Sequence, residues 1–189
     1  MIRQATTRDV PAMGKIINDC AEYGLMLHRS RSYLYEHVRE FHVATDQDAV
    51  VGVCGLSIVW ANLAEVYALA VEPGQRGAGL GKRLVGACVD DARRLGIRRL
   101  MTLTYETLFF RACGFEQVDR ATLPMKVWSD CVRCSKNQAC DEVAMIRVLG
   151  EVPDAAESQP PAADAYGVPV TRSAGTGGVS RRSKMDEAY

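Results

Sequence analysis

The run from Val71 to Lys82, V-E-P-G-Q-R-G-A-G-L-G-K, constrains the fold of this chain more than any other stretch. An Ala- and Val-rich strand ends at Val71, and a glycine-rich turn then opens an amphipathic helix. Gly77, Gly79 and Gly81 have no side chains to hold a ligand away, so successive backbone N–H groups can converge on a diphosphate. The helix start adds the positive end of its dipole, and Arg76 and Lys82 add full charge. Spacing sets two common phosphate loops aside. A dinucleotide fold wants G-x-G-x-x-G, whereas these glycines alternate. A P-loop wants G-x-x-x-x-G-K-[ST], whereas Gly81-Lys82 is followed by Arg83 and its first glycine position holds Arg76.

Around that turn the pattern alternates strands and helices. Ile2 to Ala5 reads as a strand, and Asp9 is placed to cap a helix with Pro11 in its first turn and Met13, Ile16, Ile17 and Cys20 on one face. A second helix is expected over Arg31 to Glu40. Strands follow over Phe41 to Thr45, Val50 to Trp60 and Ala64 to Val71, the first two joined at Asp46-Gln-Asp48. The helix after the glycines carries Leu84, Val85, Cys88, Val89, Ala92 and Leu95 on one face and stops at Gly96. Leu100 to Thr104 is a fifth strand and Leu108 to Cys113 a short helix closed by Gly114. Phe115 to Val118 and Val143 to Val148 complete the sheet.

With 189 residues, 48% of them hydrophobic, the chain is long enough for one sizeable core, expected over residues 1 to 150. From Glu151 to Tyr189 it turns to Pro, Ala, Ser, Gly and charge without apolar period, the composition of a disordered tail. Arg181-Arg182-Ser183-Lys184 in that tail reads as a solvated charge cluster. The formal net charge of +0 gives no electrostatic case for nucleic acid or an anionic membrane. The start of the chain lacks an apolar signal core and no stretch is long enough to span a bilayer, so a cytoplasmic protein is expected. Cys20, Cys54, Cys88 and Cys113 stand singly in apolar contexts and read as small buried hydrophobes.

Arg76-Gly-Ala-Gly79-Leu-Gly81 matches [QR]-x-x-G-x-[GA], and both the loop and the element order resemble the GNAT acetyltransferase superfamily over residues 1 to 150. The resemblance implies an α/β (α+β) GNAT fold: a mixed, mostly antiparallel sheet whose parallel fourth and fifth strands splay apart, with flanking helices. It also implies acetyl-CoA as co-substrate, its pantetheine arm entering between those strands against Leu69, Ala70 and Val71. Its diphosphate would lie on Arg76, Gly77, Ala78, Gly79, Leu80, Gly81 and Lys82.

Acetyl transfer to an amine needs a base for the ammonium proton and a donor for the leaving thiolate. Glu65 is the strongest candidate base: on a two-residue period Glu65, Tyr67, Leu69 and Val71 share a face, upstream of the thioester position. An edge salt bridge is its alternative role. Many superfamily members carry an acidic Tyr where this chain has Phe110, so Tyr105 is the nearest replacement donor and Thr104 a weaker one. Strand-end packing is the other reading of Tyr105.

Two further segments, Gly24-Leu-Met-Leu-His28-Arg29-Ser30-Arg31 and Leu123 to Cys134, are similar to the short, stand-alone N-acetylglutamate synthases. That resemblance implies transfer to the α-amino group of L-glutamate, the first committed step of arginine biosynthesis. A dicarboxylate calls for guanidinium or ammonium partners: Arg29 first, then Ser30 and Arg31 assisting, Lys126 from the far loop, and His28 as a possible contact. The alternatives are an acetyltransferase for another small amine or a protein N-terminus, and a non-catalytic acyl-CoA sensor whose Cys-rich loop docks a partner. A homo-oligomer stays open. Cys131, Cys134 and Cys140 would hold zinc if Asp130 or Asp141 completed the set, but reduced or redox-labile cysteines fit the spacing better.

Overall fold

The computed structural model describes residues 1–123 and 141–155. Among these residues seven strands form one sheet in the order β1-β2-β3-β4-β5-β7-β6. They are β1 (Ile2–Gln4), β2 (Phe41–Asp46), β3 (Ala49–Trp60), β4 (Leu63–Val71), β5 (Arg99–Thr104), β6 (Glu116–Gln117) and β7 (Val143–Val148). Every pairing is antiparallel except that of β4 with β5. The β2–β3 turn falls on Gln47 and Asp48, both at positive φ (44° and 69°), as a two-residue hairpin needs.

Helices cover both faces of the sheet. On one side lie α1 (Val10–Glu22) and α2 (Arg31–Glu36). Val10, Met13, Ile16, Ile17 and Leu34 pack there against Phe41, Val43, Val53 and Ala70. On the other side α3 (Leu80–Arg94) presses Leu84, Val85, Cys88, Val89 and Ala92 onto the sheet, together with Phe110 of α4 (Thr107–Ala112). Fully burying a side chain such as Leu84 contributes about 1.5–3 kcal/mol, so the apolar stripe holds the helix that carries the glycine turn.

The helix entries differ from the sequence expectation in two places. Asp9 precedes α1 but does not cap it. Its carboxylate accepts a forked pair of bonds from Arg3 (2.7 and 2.8 Å) and further bonds from the Thr6 amide (2.7 Å) and hydroxyl (2.9 Å). An ion pair to β1 outweighs an N-cap because the guanidinium brings a full opposite charge and two parallel bonds, where a cap brings one bond to a neutral amide. The helix expected over Arg31 to Glu40 is also divided: α2 ends at Glu36 and a 3-10 turn spans Val38–Glu40. His37 leaves helical geometry between them (φ −103°, ψ 12°), its ring stacked on Tyr33 at 4.2 Å and its Nδ1 2.9 Å from Glu40.

Two strand-level details set up the site. β4 and β5 pair at only three positions, Leu63–Arg99, Ala64–Leu100 and Glu65–Met101, and then part. β5 stays paired with β7 from Arg99 to Thr104, so it cannot follow β4. The β3–β4 register also slips between Val53 and Gly55, opposite Ala68, which takes φ +48°. This bulge corrects the expected shared face of Glu65, Tyr67, Leu69 and Val71: Tyr67 packs toward α1, whereas Leu69 and Val71 pack toward α3.

The packed chain continues past Gly150. Leu149 and Val152 are buried, Arg98 donates to the Val152 carbonyl (2.8 Å), and Asn62 donates to Asp154 (3.1 Å). The expected tail thus loses its first residues to the fold, and its remainder from 156 lies outside the described residues, as do Lys126, Cys131, Cys134 and Cys140. Cys20, Cys54, Cys88 and Cys113 are buried free thiols, but Cys54 and Cys88 are not solitary. Their sulfurs lie 3.6 Å apart, and His42 places Nδ1 3.9 Å from Cys88 and Nε2 3.3 Å from Asp91. The Cys54 thiol and His42 hold the Cys88 thiol below its usual range. Among the described residues no helix is long and apolar enough to cross a membrane.

The Arg3 fork and the Thr6 bonds hold the Asp9 carboxyl far below the usual carboxylate range. The lowered folded-state value means that the stabilisation is complete above the unfolded pKa of about 4 and is lost as pH falls below it. Asp9→Asn should therefore cost about 2 kcal/mol at pH 7. In urea melts at stepped pH, the gap to the parent chain should narrow steadily below about pH 4.

Candidate active site

At the parting of β4 and β5 lies a cavity of about 680 Å³, lined by both strands, the glycine turn and the α1–α2 loop. One wall is the β4 run from Glu65 to Val71; the other carries Thr104 and Tyr105 from the end of β5 and Phe109 from α4.

The glycine turn closes one end. After a 3-10 turn over Pro73–Gln75 the chain is extended at Arg76, and Gly79 at φ +74° becomes the N-cap of α3. Gly79 has no side chain to cap that helix, and the first-turn residues Leu80, Gly81 and Lys82 line this end of the cavity, where the positive end of the dipole lies. A Cβ built on Gly77 (φ +82°) or Gly79 meets nothing within 4 Å, so the space above the turn is open, as a backbone cradle for an anion requires. Gly81 has a different reason for lacking a side chain: its Cβ would come within 3.3 Å of the Phe109 ring. Arg76 lines the cavity, and its Nε donates to the Val71 carbonyl at 3.0 Å, tying the turn to the end of β4. Leu80 and Lys82 line the same end; Ala78 is not among the lining residues.

Glu65 sits at the vertex, the last β4 residue paired with β5, half-buried and facing the cavity. Tyr105 also lines it, one residue beyond β5 where the chain turns into α4, a turn steadied by the Glu106 amide donating to Thr104 Oγ1 (2.9 Å). The structure thus brings Glu65, Leu69, Ala70, Val71, the glycine turn and Tyr105 to one space.

Arg29 lines the same cavity, as do Leu25, Met26 and Leu27. The Asn18 side chain holds its backbone from α1, accepting from the Arg29 N–H (2.9 Å) and donating to its C=O (3.1 Å). Its guanidinium carbon lies 4.5 Å from the Tyr33 ring centre and 5.6 Å from that of Tyr67. Ser30 and His28 are placed elsewhere. The Ser30 hydroxyl caps α2 by accepting from the Tyr33 amide (3.1 Å), and His28 Nε2 lies 2.8 Å from exposed Glu22. Arg31, the first residue of α2, is exposed and outside the lining.

Some neighbours carried no sequence signal. Asn18 lies mid-helix in α1, Tyr33 lies within α2, and Glu142 reaches the cavity from just before β7. Tyr67 was visible as a neighbour of Glu65, but not its partner: its phenol donates to Glu40 at 2.7 Å. Burial foremost, with Glu40 and Tyr33 adding to it, pushes the Tyr67 phenol far above its usual range, so it stays protonated. Among the described residues no group of three or more His, Cys, Asp or Glu is arranged to hold a metal.

The chain is similar to known proteins in sequence and fold. Residues 10–115 match the family model described as Acetyltransferase (GNAT) family. An uncharacterized N-acetyltransferase of Chlorobaculum tepidum is 34% identical over 148 residues, covering 78% of this chain and 96% of the relative. The amino-acid acetyltransferase of Mycobacterium tuberculosis is 34% identical over 136 residues, covering 70% and 78% respectively. Among solved structures, N-acetylglutamate synthase from Neisseria gonorrhoeae, complexed with coenzyme A and N-acetyl-glutamate, superposes with a TM-score of 0.73 at 31% identity. That match covers 80% of this chain but only 35% of the longer synthase. A Mycobacterium tuberculosis protein solved with CoA superposes with a TM-score of 0.70 at 30% identity, over 79% of this chain and 99% of its own. By the family model and these identities, the chain belongs to the GNAT acetyltransferase family.

Proposed function

We propose that this acetyltransferase moves the acetyl group of acetyl-CoA to the α-amino group of L-glutamate, the step that opens arginine biosynthesis. The observation that carries the reading is the set of groups lining one cavity: a helix start with a glycine N-cap, a carboxylate at the vertex of the strand fork, and a guanidinium over the Tyr33 and Tyr67 rings. Relatives named amino-acid acetyltransferase, and a structural neighbour complexed with N-acetyl-glutamate, support the choice of amine.

The residues divide the work. Gly77, Gly79 and the first turn of α3 offer N–H groups to the diphosphate, and Lys82 adds charge. The β4 edge from Leu69 to Val71 offers backbone groups to the pantetheine amides. Acetyl-CoA supplies an activated acyl carbon; the protein must deliver a neutral amine to it. Glu65 takes the ammonium proton directly or through one water, and Tyr105 gives a proton to the departing thiolate. Arg29 pairs with a substrate carboxylate, a planar two-donor fork meeting two acceptors.

Free-thiol release in the presence of acetyl-CoA and a panel of amines tests the substrate. Glutamate should give the highest kcat/KM. A peptide N-terminus or a non-acidic amine in first place would overturn the assignment, and no turnover with any amine would favour an acyl-CoA sensor.

The turn and the vertex have separate signatures. Gly79→Ala puts a Cβ in the cradle at positive φ, a strain of about 1–2 kcal/mol. Acetyl-CoA affinity by calorimetry should fall at least about tenfold while circular dichroism stays native. Unchanged affinity would move the diphosphate elsewhere. Glu65→Gln keeps volume but accepts no proton, so kcat should fall about 10²-fold and the acidic limb of the pH–rate profile should vanish. A surviving limb would name another base.

A further inference from the structure

Tyr67 lies in the wall of the cavity, yet it has no task in the chemistry above. Its phenol is held protonated and already donates to Glu40 at 2.7 Å. Its ring is equally committed. It packs on Phe41 with centroids 5.2 Å apart and lies across β3 at Gly55, where a Cβ would come within 2.7 Å of the ring's Cζ. A glycine is required opposite it, and the Ala68 bulge leaves the ring on the α1 side. Glu40 is fixed in turn, with His37 Nδ1 2.9 Å from its other oxygen and the His37 ring stacked on Tyr33. The two rings that face the Arg29 guanidinium thus belong to one connected set, Tyr33–His37–Glu40–Tyr67, drawn from α2, the 3-10 turn and β4.

A half-buried arginine side chain otherwise tends to extend its charged head toward water. Here the backbone is held by Asn18 and the head lies over two aromatic faces, which attract a guanidinium. The geometry points to Tyr67 as a specificity-determining positioning residue: braced by Glu40 across Gly55, it aims Arg29 at the carboxylate of the acceptor amino acid. This rests on the proposed role of Arg29 in binding that carboxylate. Tyr67 touches no reacting atom in this scheme; it acts through Arg29. The preference for an acidic acceptor is then set by a preorganised cation rather than by charge alone.

The test uses the full chain with L-glutamate as probe. Tyr67→Leu should raise the KM for glutamate about tenfold and change kcat less than about threefold, with acetyl-CoA affinity unaltered. Tyr67→Phe keeps the ring and loses the bond to Glu40, so it should fall between parent and Tyr67→Leu; it also serves if the leucine variant fails to fold. In an Arg29→Ala background, Tyr67→Leu should add less than about a twofold loss, because the two residues act as one unit. Multiplicative losses in that cycle, or a parallel fall in acetyl-CoA affinity, would overturn the proposal. A readout without substrate separates it from the functional reading: the Arg29 Nε–H resonance in the parent should be ring-shifted and should move on Tyr67→Leu. An unmoved resonance overturns the aromatic placement even if glutamate is the substrate. A parent that ignores glutamate but shows the shift overturns the substrate reading and leaves the placement standing.

Discussion

The site depends on a conflict over one strand. β5 bonds to β7 along its whole length, and β4 bonds to β3 from Leu63 to Val71, so these two strands share only three paired positions before their twists carry them apart. Beyond Glu65 the β5-facing side of β4 has no ladder partner in β5. Backbone N–H and C=O groups demand partners, so such an edge inside a fold is a template for an extended, amide-bearing ligand. The space, its direction and the position of Glu65 all follow from this one mismatch.

The cavity also gathers opposite charges. Backbone dipoles and Lys82 at the start of α3, the Glu65 carboxylate at the vertex and the Arg29 guanidinium all line one space. The dipoles and the guanidinium each suit an anion, and the carboxylate suits a cation. Two supports hold this set. Arg76 bonds to the Val71 carbonyl and fastens the turn to the strand, and Asn18 fastens Arg29 to α1. The apolar packing of α1 and α3 on opposite faces of the sheet maintains the distance between those supports.

Most of the architecture was legible in the chain because it is written in local signals. The period-3.6 stripes of α1 and α3, the turn at Gln47-Asp48 and the alternating glycines each report on a few consecutive residues. Where the sequence misled, a distant partner had won. Asp9 had the position of a cap, but Arg3 offered two charge-assisted bonds. The helix begun at Arg31 broke at His37, which stacks back on Tyr33 and lies against Glu40. Gly81 reads as one more phosphate glycine, yet its missing Cβ makes room for Phe109 from another helix. Cys54 and Cys88 read as isolated apolar residues, and packing of α3 on β3 set their sulfurs side by side.

The sequence by itself determined the element order, the two apolar faces and the glycine turn, because periodicity and backbone freedom are properties of neighbouring residues. Only the tertiary structure decided which side chains share the cavity. A single bulge at Ala68 turns Tyr67 toward Arg29 while Leu69 and Val71 face α3, and a period-2 reading cannot anticipate a one-residue slip. The convergence of Arg29, Glu65 and Tyr105 likewise depends on where β4 and β5 separate. That point is set by how four strands, β3, β4, β5 and β7, pair across the sheet, contacts that no local stretch of chain encodes.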